Sequence, residues 1–190
     1  MATLFSYRTE PMVPARVNGQ LFAIACGVGI DAEIIAQTNP EQKKKIGMLA
    51  YFLEGAKHLG QFRDHLFELE LDGKKQVVRG KGVMVINRRN FLESATPLGV
   101  LSKMAQGPST PGHPDSLPET GKLDVCVFRV RKAAEYIPAM VQLFTGQFGD
   151  ENPPIQHFQA NTVIINARHA MKIQADGDVI GHLPARVEKL

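Results

Sequence analysis

The sequence predicts a mainly β fold, an antiparallel β-sandwich with attached helices, built as one domain over residues 1–190. Three observations lead there. Short apolar runs recur along the chain and several of them alternate with polar residues, which is the period of a strand with one wet face. Asx-Gly pairs at Asn18-Gly19, Asp72-Gly73 and Asp176-Gly177 stand between such runs, where a tight hairpin needs positive φ. Only two stretches carry helical spacing. A length of 190 residues with 44% hydrophobic content suits one buried core and is short for two full domains.

Taken in order, Val17 to Cys26 reads as strand, turn and strand, with Asn18-Gly19 at the tip. Gly27-Val28-Gly29 then opens a loop toward Ile30-Asp31-Ala32. Between Glu41 and Leu59, apolar Ile46, Leu49, Phe52, Leu53, Ala56 and Leu59 recur at spacings of three and four, giving a helix with one buried stripe. The period then changes. Phe67, Leu69 and Leu71 alternate with Glu68 and Glu70, Asp72-Gly73 turns the chain, and Val77 to Asn87 returns as one strand buried on both faces near its end. Arg88 to Thr120 is rich in Ser, Pro and Gly and reads as a long loop. Leu123 to Val130 is a strand, and Ala133 to Phe144 a helix that Pro138 starts or kinks. After a polar loop through Pro154 come Phe158 to Asn166, Ala170 to Ala175, Val179 to Leu183 and Arg186 to the end, all as strands.

Composition excludes several classes. The apolar runs are far below the roughly 18 residues of a membrane span, and Met1 to Tyr7 has no basic segment followed by a long apolar core, so a cytoplasmic protein is expected. Cys26 and Cys126 form no CxxC pair and read as reduced core residues. A net charge of +3 gives no argument for nucleic acid and slightly favours an anionic membrane surface.

Motifs for chemistry are sparse. Gly27-x-Gly29 lacks the third glycine of a dinucleotide fingerprint, since Ala32 and Glu33 stand there, and a structural turn explains it better. No G-x-x-x-x-G-K-[ST] occurs, no G-x-S-x-G occurs, and the six histidines show no metal spacing. Two acidic clusters remain. Asp115, Glu119 and Asp124 surround the junction leading into the strand at Leu123; their oxygens suit a metal, although a solvated turn explains the spacing as well. Asp176-Gly177-Asp178 presents two carboxylates from a hairpin tip to a hydroxyl or a metal ion, while Asp-Gly is also the commonest two-residue hairpin turn.

In sequence order these segments resemble the C-terminal lobe of the diacylglycerol kinase and sphingosine kinase family, above all its small bacterial lipid kinases. Phe22 to Ala32 is similar to the family's strand and G-x-G-x-D-A turn, and Gly47-Met48-Leu49-Ala50-Tyr51 to its G-x-x-x-Y helix. Val83 to Asn87 is similar to its apolar strand ending in Asn, Gly121-Lys122-Leu123-Asp124-Val125 to its G-x-L-D-V strand, and Asp176-Gly177-Asp178 to its D-G-E hairpin. The resemblance covers roughly Val17 to Pro184. It departs from the family in lacking a G-G-D-G-T phosphate loop and the glycine-rich stretch after Asn87, and in placing Thr120 where the family's structural-metal aspartate falls.

The resemblance implies the β-sandwich lobe of NAD kinase and diacylglycerol kinase-like proteins, here the substrate-side C-terminal lobe without the N-terminal nucleotide-binding lobe. The complete enzyme would use ATP and Mg2+ to phosphorylate a diacylglycerol-like or sphingoid lipid hydroxyl, with transient contact to the inner membrane face and no nucleic acid partner. Asp176 is then the candidate general base and Asp178 its acidic companion. Glu119 and Thr120 mark the metal position; with a hydroxyl at Thr120, weak Mg2+ binding or none is expected, and no cofactor is expected to bind this lobe tightly. The alternatives are a non-catalytic lipid- or partner-binding sandwich, and a kinase for a soluble alcohol.

Overall fold

The computed structural model describes residues 13–29, 32, 63–87, 121–132 and 154–190, together with residues 135, 138, 139, 142, 143 and 148. The predicted helix from Glu41 to Leu59 and loop from Arg88 to Thr120 lie outside the described residues. Among those described, twelve strands form two antiparallel six-stranded sheets.

The first sheet has the order β2-β1-β12-β9-β4-β5, with β1 Ala15–Val17, β2 Gln20–Phe22, β4 His65–Leu71, β5 Lys74–Gly80, β9 Thr162–Ala167 and β12 Ala185–Lys189. The second has the order β11-β10-β3-β6-β7-β8, with β3 Ala25–Gly29, β6 Gly82–Ile86, β7 Leu123–Phe128, β8 Ile155–Ala160, β10 Lys172–Ala175 and β11 Asp178–His182. Alternate residues explain the stacking. Phe67, Leu69, Val163, Ile165 and Val187 from the first sheet share one buried cluster with Val28, Val83, Val85, Val125, Val127 and Ile173 from the second. This is the predicted sandwich.

The two sheets differ on their outer faces. In the first, Leu66, Glu68, Val77 and Arg79 are exposed, so β4 and β5 follow the predicted alternation. In the second, Met84, Ile86, Cys126, Phe128 and Ile155 are buried although they stand outside the sandwich cluster, so its central strands β3, β6 and β7 are buried on both faces. Residues 135, 138, 139, 142 and 143 are helical, with Ala139 and Leu143 buried. Phe148 stacks on His157 of β8 with ring centroids 4.0 Å apart, which sets part of this segment against that outer face. The helical segment is entered through a cap: the Glu135 carboxylate accepts the backbone N–H groups of Arg131 at 2.7 Å and Lys132 at 3.4 Å. The Arg131 bond, followed by that of Lys132 and the charges of both residues, holds the Glu135 carboxyl below its usual value against the opposing desolvation. Among the described residues no helix is long and apolar enough to cross a membrane.

Three strands predicted as single are each divided between the sheets. The predicted Val17–Cys26 hairpin ends its second arm at Phe22; the chain bends at Ala23-Ile24 and enters the other sheet as β3. Val77 to Asn87 divides at Lys81 into β5 and β6, and Phe158 to Asn166 divides at Asn161 into β8 and β9. At each corner the chain stays against one shared core, so its apolar pattern continues while its pairing partners change. The predicted loop at Gly27-Val28-Gly29 is instead the body of β3. Gly29 is required there because its φ is +88° and a Cβ would stand 2.6 Å from the Lys81 carbonyl oxygen.

Candidate active site

One end of the second sheet holds the described candidate residues Asp124, Asp176 and Asp178. The register pairs Ala175 with Cys26, Ala25 with Ile86, and Ile86 with Asp124. The turn after β10, the bend before β3, the end of β6 and the start of β7 therefore lie together. Asp176 and Asn87 belong to that end by direct hydrogen bonds to the Ala23–Ala25 bend.

Asp176 occupies a left-handed turn position with φ of 47°, which the following Gly177 at 93° completes. Its carboxylate is taken up by backbone. Oδ2 accepts the Ala23 N–H at 2.6 Å, and Oδ1 accepts those of Ile24 at 2.9 Å and Ala25 at 3.0 Å. The Asp176 N–H donates to the Ala25 carbonyl at 2.9 Å. Two other turns repeat this device. Asn18 Oδ1 accepts the Arg186 N–H, and Asp72 Oδ1 accepts those of Asn161 and Thr162; both turn residues also donate their own N–H to the strand they clasp. Asp176 exceeds the pattern by using both carboxylate oxygens.

A carboxylate offers about four acceptor positions, and three donors engage this one, so about one, on Oδ2, is left. Asp178 differs. It opens β11 opposite Ala175, it is exposed, and no described residue bonds its carboxylate. Two residues with no role expected from sequence stand beside the turn. Gln174, 4% exposed, accepts the Gly177 N–H on Oε1 at 3.0 Å. Asn87, 2% exposed, donates its backbone N–H to the Ile24 carbonyl at 2.9 Å and its side-chain Nδ2 to the Val13 carbonyl at 2.7 Å. A polar residue closing an apolar strand was the available signal for Asn87; nothing local marks Gln174.

Asp124 does not stand in a solvated turn. It is buried on β7, and its Oδ1 lies 2.6 Å from His157 Nε2 and 3.1 Å from Gln159 Nε2. A solvated turn is therefore overturned for this residue: antiparallel pairing with β8 brings His157 and Gln159 over it. Asp115, Glu119 and Thr120 lie outside the described residues, and among the described residues no three acidic, histidine or cysteine side chains converge as a metal cage.

The two-sheet antiparallel sandwich fits the β-sandwich architecture of NAD kinase-like domains. The family described as the YegS C-terminal NAD kinase beta sandwich-like domain matches residues 24–190, and the chain belongs to it. A diacylglycerol kinase of Bacillus subtilis is 28% identical over 189 residues, covering 99% of this chain and 57% of that protein. An uncharacterised protein of Synechocystis is 25% identical over 187 residues, covering 96% of this chain and 40% of its own length. The chain thus spans about half the length of these curated relatives. Among solved structures, a putative diacylglycerol kinase from Bacillus anthracis superposes with a TM-score of 0.62 at 22% identity, covering 95% of this chain and 54% of that one. A second structure from the same organism gives 0.57 at 21% identity over the same shares. At these identities the structures speak for the fold.

Proposed function

We propose that this chain is the substrate-side lobe of a lipid kinase that transfers the γ-phosphoryl group of ATP to a diacylglycerol-like or sphingoid hydroxyl. The observation that carries the reading is an acidic turn, anchored by three backbone amides, at the sheet end of a chain belonging to a family with diacylglycerol kinase relatives. ATP with Mg2+ supplies the transferred group in such an enzyme, and a further nucleotide-binding lobe would hold the phosphates, since this chain has no phosphate-cradling motif.

The work left to this chain is positioning and proton acceptance. As the lipid oxygen attacks phosphorus and the bond to the ADP oxygen breaks, the hydroxyl proton must leave. Asp176 accepts it at Oδ2, the oxygen that carries one amide donor rather than two. The amide clasp holds the carboxylate against rotation, so a near-attack geometry costs little further ordering. Asp178, exposed beside it, orients the hydroxyl or a metal-bound water. The protein works in the cytoplasm and meets its lipid at the inner face of the membrane.

A second reading has its own observation. The clasp at Asp176 repeats that at Asn18 and Asp72, so the turn is also explained as purely structural, within a sandwich that binds lipid or a partner without chemistry. An acceptor panel separates the readings. The protein that carries this chain, with MgATP, is expected to phosphorylate diacylglycerol or a sphingoid base in mixed vesicles and to leave glycerol untouched. Phosphorylation of glycerol alone would replace the lipid by a soluble alcohol. Saturable vesicle binding with no transfer to any acceptor would establish the binding sandwich.

A further inference from the structure

The end of the second sheet holds a hydrogen-bonded path that the acidic turn alone does not explain. The peptide unit joining Ile24 to Ala25 is gripped from both sides. Its carbonyl accepts the Asn87 N–H at 2.9 Å and its N–H donates to Asp176 Oδ1 at 3.0 Å. In a planar trans peptide these two groups point in opposite directions, so displacement of one end moves the other. Asn87 in turn is held by its own side chain, whose Nδ2 donates to the Val13 carbonyl at 2.7 Å. Four sequence-distant positions, 13, 24–25, 87 and 176, thus form one continuous chain of donors and acceptors.

The Asp72 turn provides the comparison. There the Asn161-Thr162 peptide is gripped in the same way, by the Lys189 N–H at 3.0 Å and Asp72 Oδ1 at 2.8 Å. That arrangement is ordinary sheet pairing. At Asp176 the residue in the position of Lys189 is a 2% exposed asparagine. Its amide group is committed to the backbone of the strand's first approach rather than to water. A buried amide costs about 1–3 kcal/mol unless its bonds are made, so a residue needed only for shape would be served by an apolar side chain.

We propose that Asn87 is a positioning residue for the Asp176 carboxylate, transmitting the placement of the chain at Val13 through the Ile24-Ala25 peptide to the acidic turn. Its consequence for turnover rests on the reading of Asp176 as the proton acceptor; the coupling itself does not. Asn87→Ala removes the bond to Val13 and leaves the backbone bond to Ile24 in place.

Amide hydrogen exchange on the 190-residue chain reads the coupling directly. In Asn87→Ala, exchange at Ala23, Ile24 and Ala25 is expected to rise about 10-fold, while Asn161, Thr162 and Arg186, held by the other two clasps, keep their wild-type rates. Unchanged exchange at 23–25, or the same rise at all six amides, would overturn the proposal. If the variant does not fold, the wild-type protein decides. The Asn87 side-chain amide and the 23–25 amides then share one opening free energy over a denaturant series, and separate values contradict the coupling. In the protein that carries this chain, Asn87→Ala is further expected to lower kcat about 10-fold with KM for MgATP within twofold. A local rise in exchange with unchanged kcat would leave the coupling standing and remove Asp176 from the chemistry.

Discussion

Asp72 and Asp176 hold the same turn position with the same backbone angle, yet their carboxylates are used differently, and a single substitution should expose it. At Asp72 both accepted amides converge on Oδ1, so an asparagine keeps both bonds; Asn18 accepts one amide on its Oδ1 in the same way. At Asp176 the amides divide between the oxygens, so asparagine must set its NH2 against the Ala23 N–H. We therefore expect Asp72→Asn to change stability by less than about 0.5 kcal/mol and Asp176→Asn to cost about 1–2 kcal/mol, read from denaturant midpoints at constant m. Equal costs would mean that the Ala23 bond contributes nothing. Asp124 offers a second test. Asp124→Ala leaves the His157 and Gln159 donors facing the gap and should cost about 1–3 kcal/mol. These turns were legible as turns, because Asx-Gly states its own backbone conformation. What their side chains hold was not: the amides bound by Asp176 lie about 150 residues earlier, and the histidine that buries Asp124 is 33 residues away.

The elements were legible where one local pattern decides them, and misread where a strand changes sheet. β4, its turn and the start of β5 follow from the alternation of Phe67 to Leu71 and from Asp72-Gly73. The three corners escaped because a run of core residues looks the same whether or not it changes partners. Gly80-Lys81-Gly82 was a usable signal, since glycines inside a strand often mark a close backbone approach. Gly29→Ala tests that approach. The strain of a positive φ adds to a clash with the Lys81 carbonyl, giving a loss of about 2–4 kcal/mol. Gly19→Ala, with φ of +87° and nothing within 4 Å, should lose only about 1–2 kcal/mol. Similar losses at both would deny the contact. The cap at Glu135 predicts a pH dependence. Its folded pKa is depressed below the ordinary glutamate value of 4.5, so its contribution is present above that value and lost as pH falls through the folded pKa. The difference in amide exchange at the helix entry between wild type and Glu135→Gln should therefore shrink in acid; a difference that grows below pH 4.5 would contradict the cap.

For the whole molecule, family membership was legible in the order of several weak motifs, which no single one of them carries. The motifs report a lobe whose relatives are nearly twice its length, and the chain has no G-G-D-G-T of its own. The isolated 190-residue chain is accordingly expected to fold as the sandwich and neither to hydrolyse ATP nor to transfer its phosphate, as a radiolabel assay would show. The most direct test of the proposed chemistry is the rate of γ-phosphate transfer from ATP to diacylglycerol by the protein that carries this chain, compared between wild type and Asp176→Asn at a temperature where both are fully folded. Measurable lipid phosphorylation is expected in the wild type, with a fall of roughly 100-fold or more in the variant. Lipid phosphorylation at an unchanged rate in folded Asp176→Asn would contradict that chemistry and leave the carboxylate as a clasp between β10 and the Ala23–Ala25 bend.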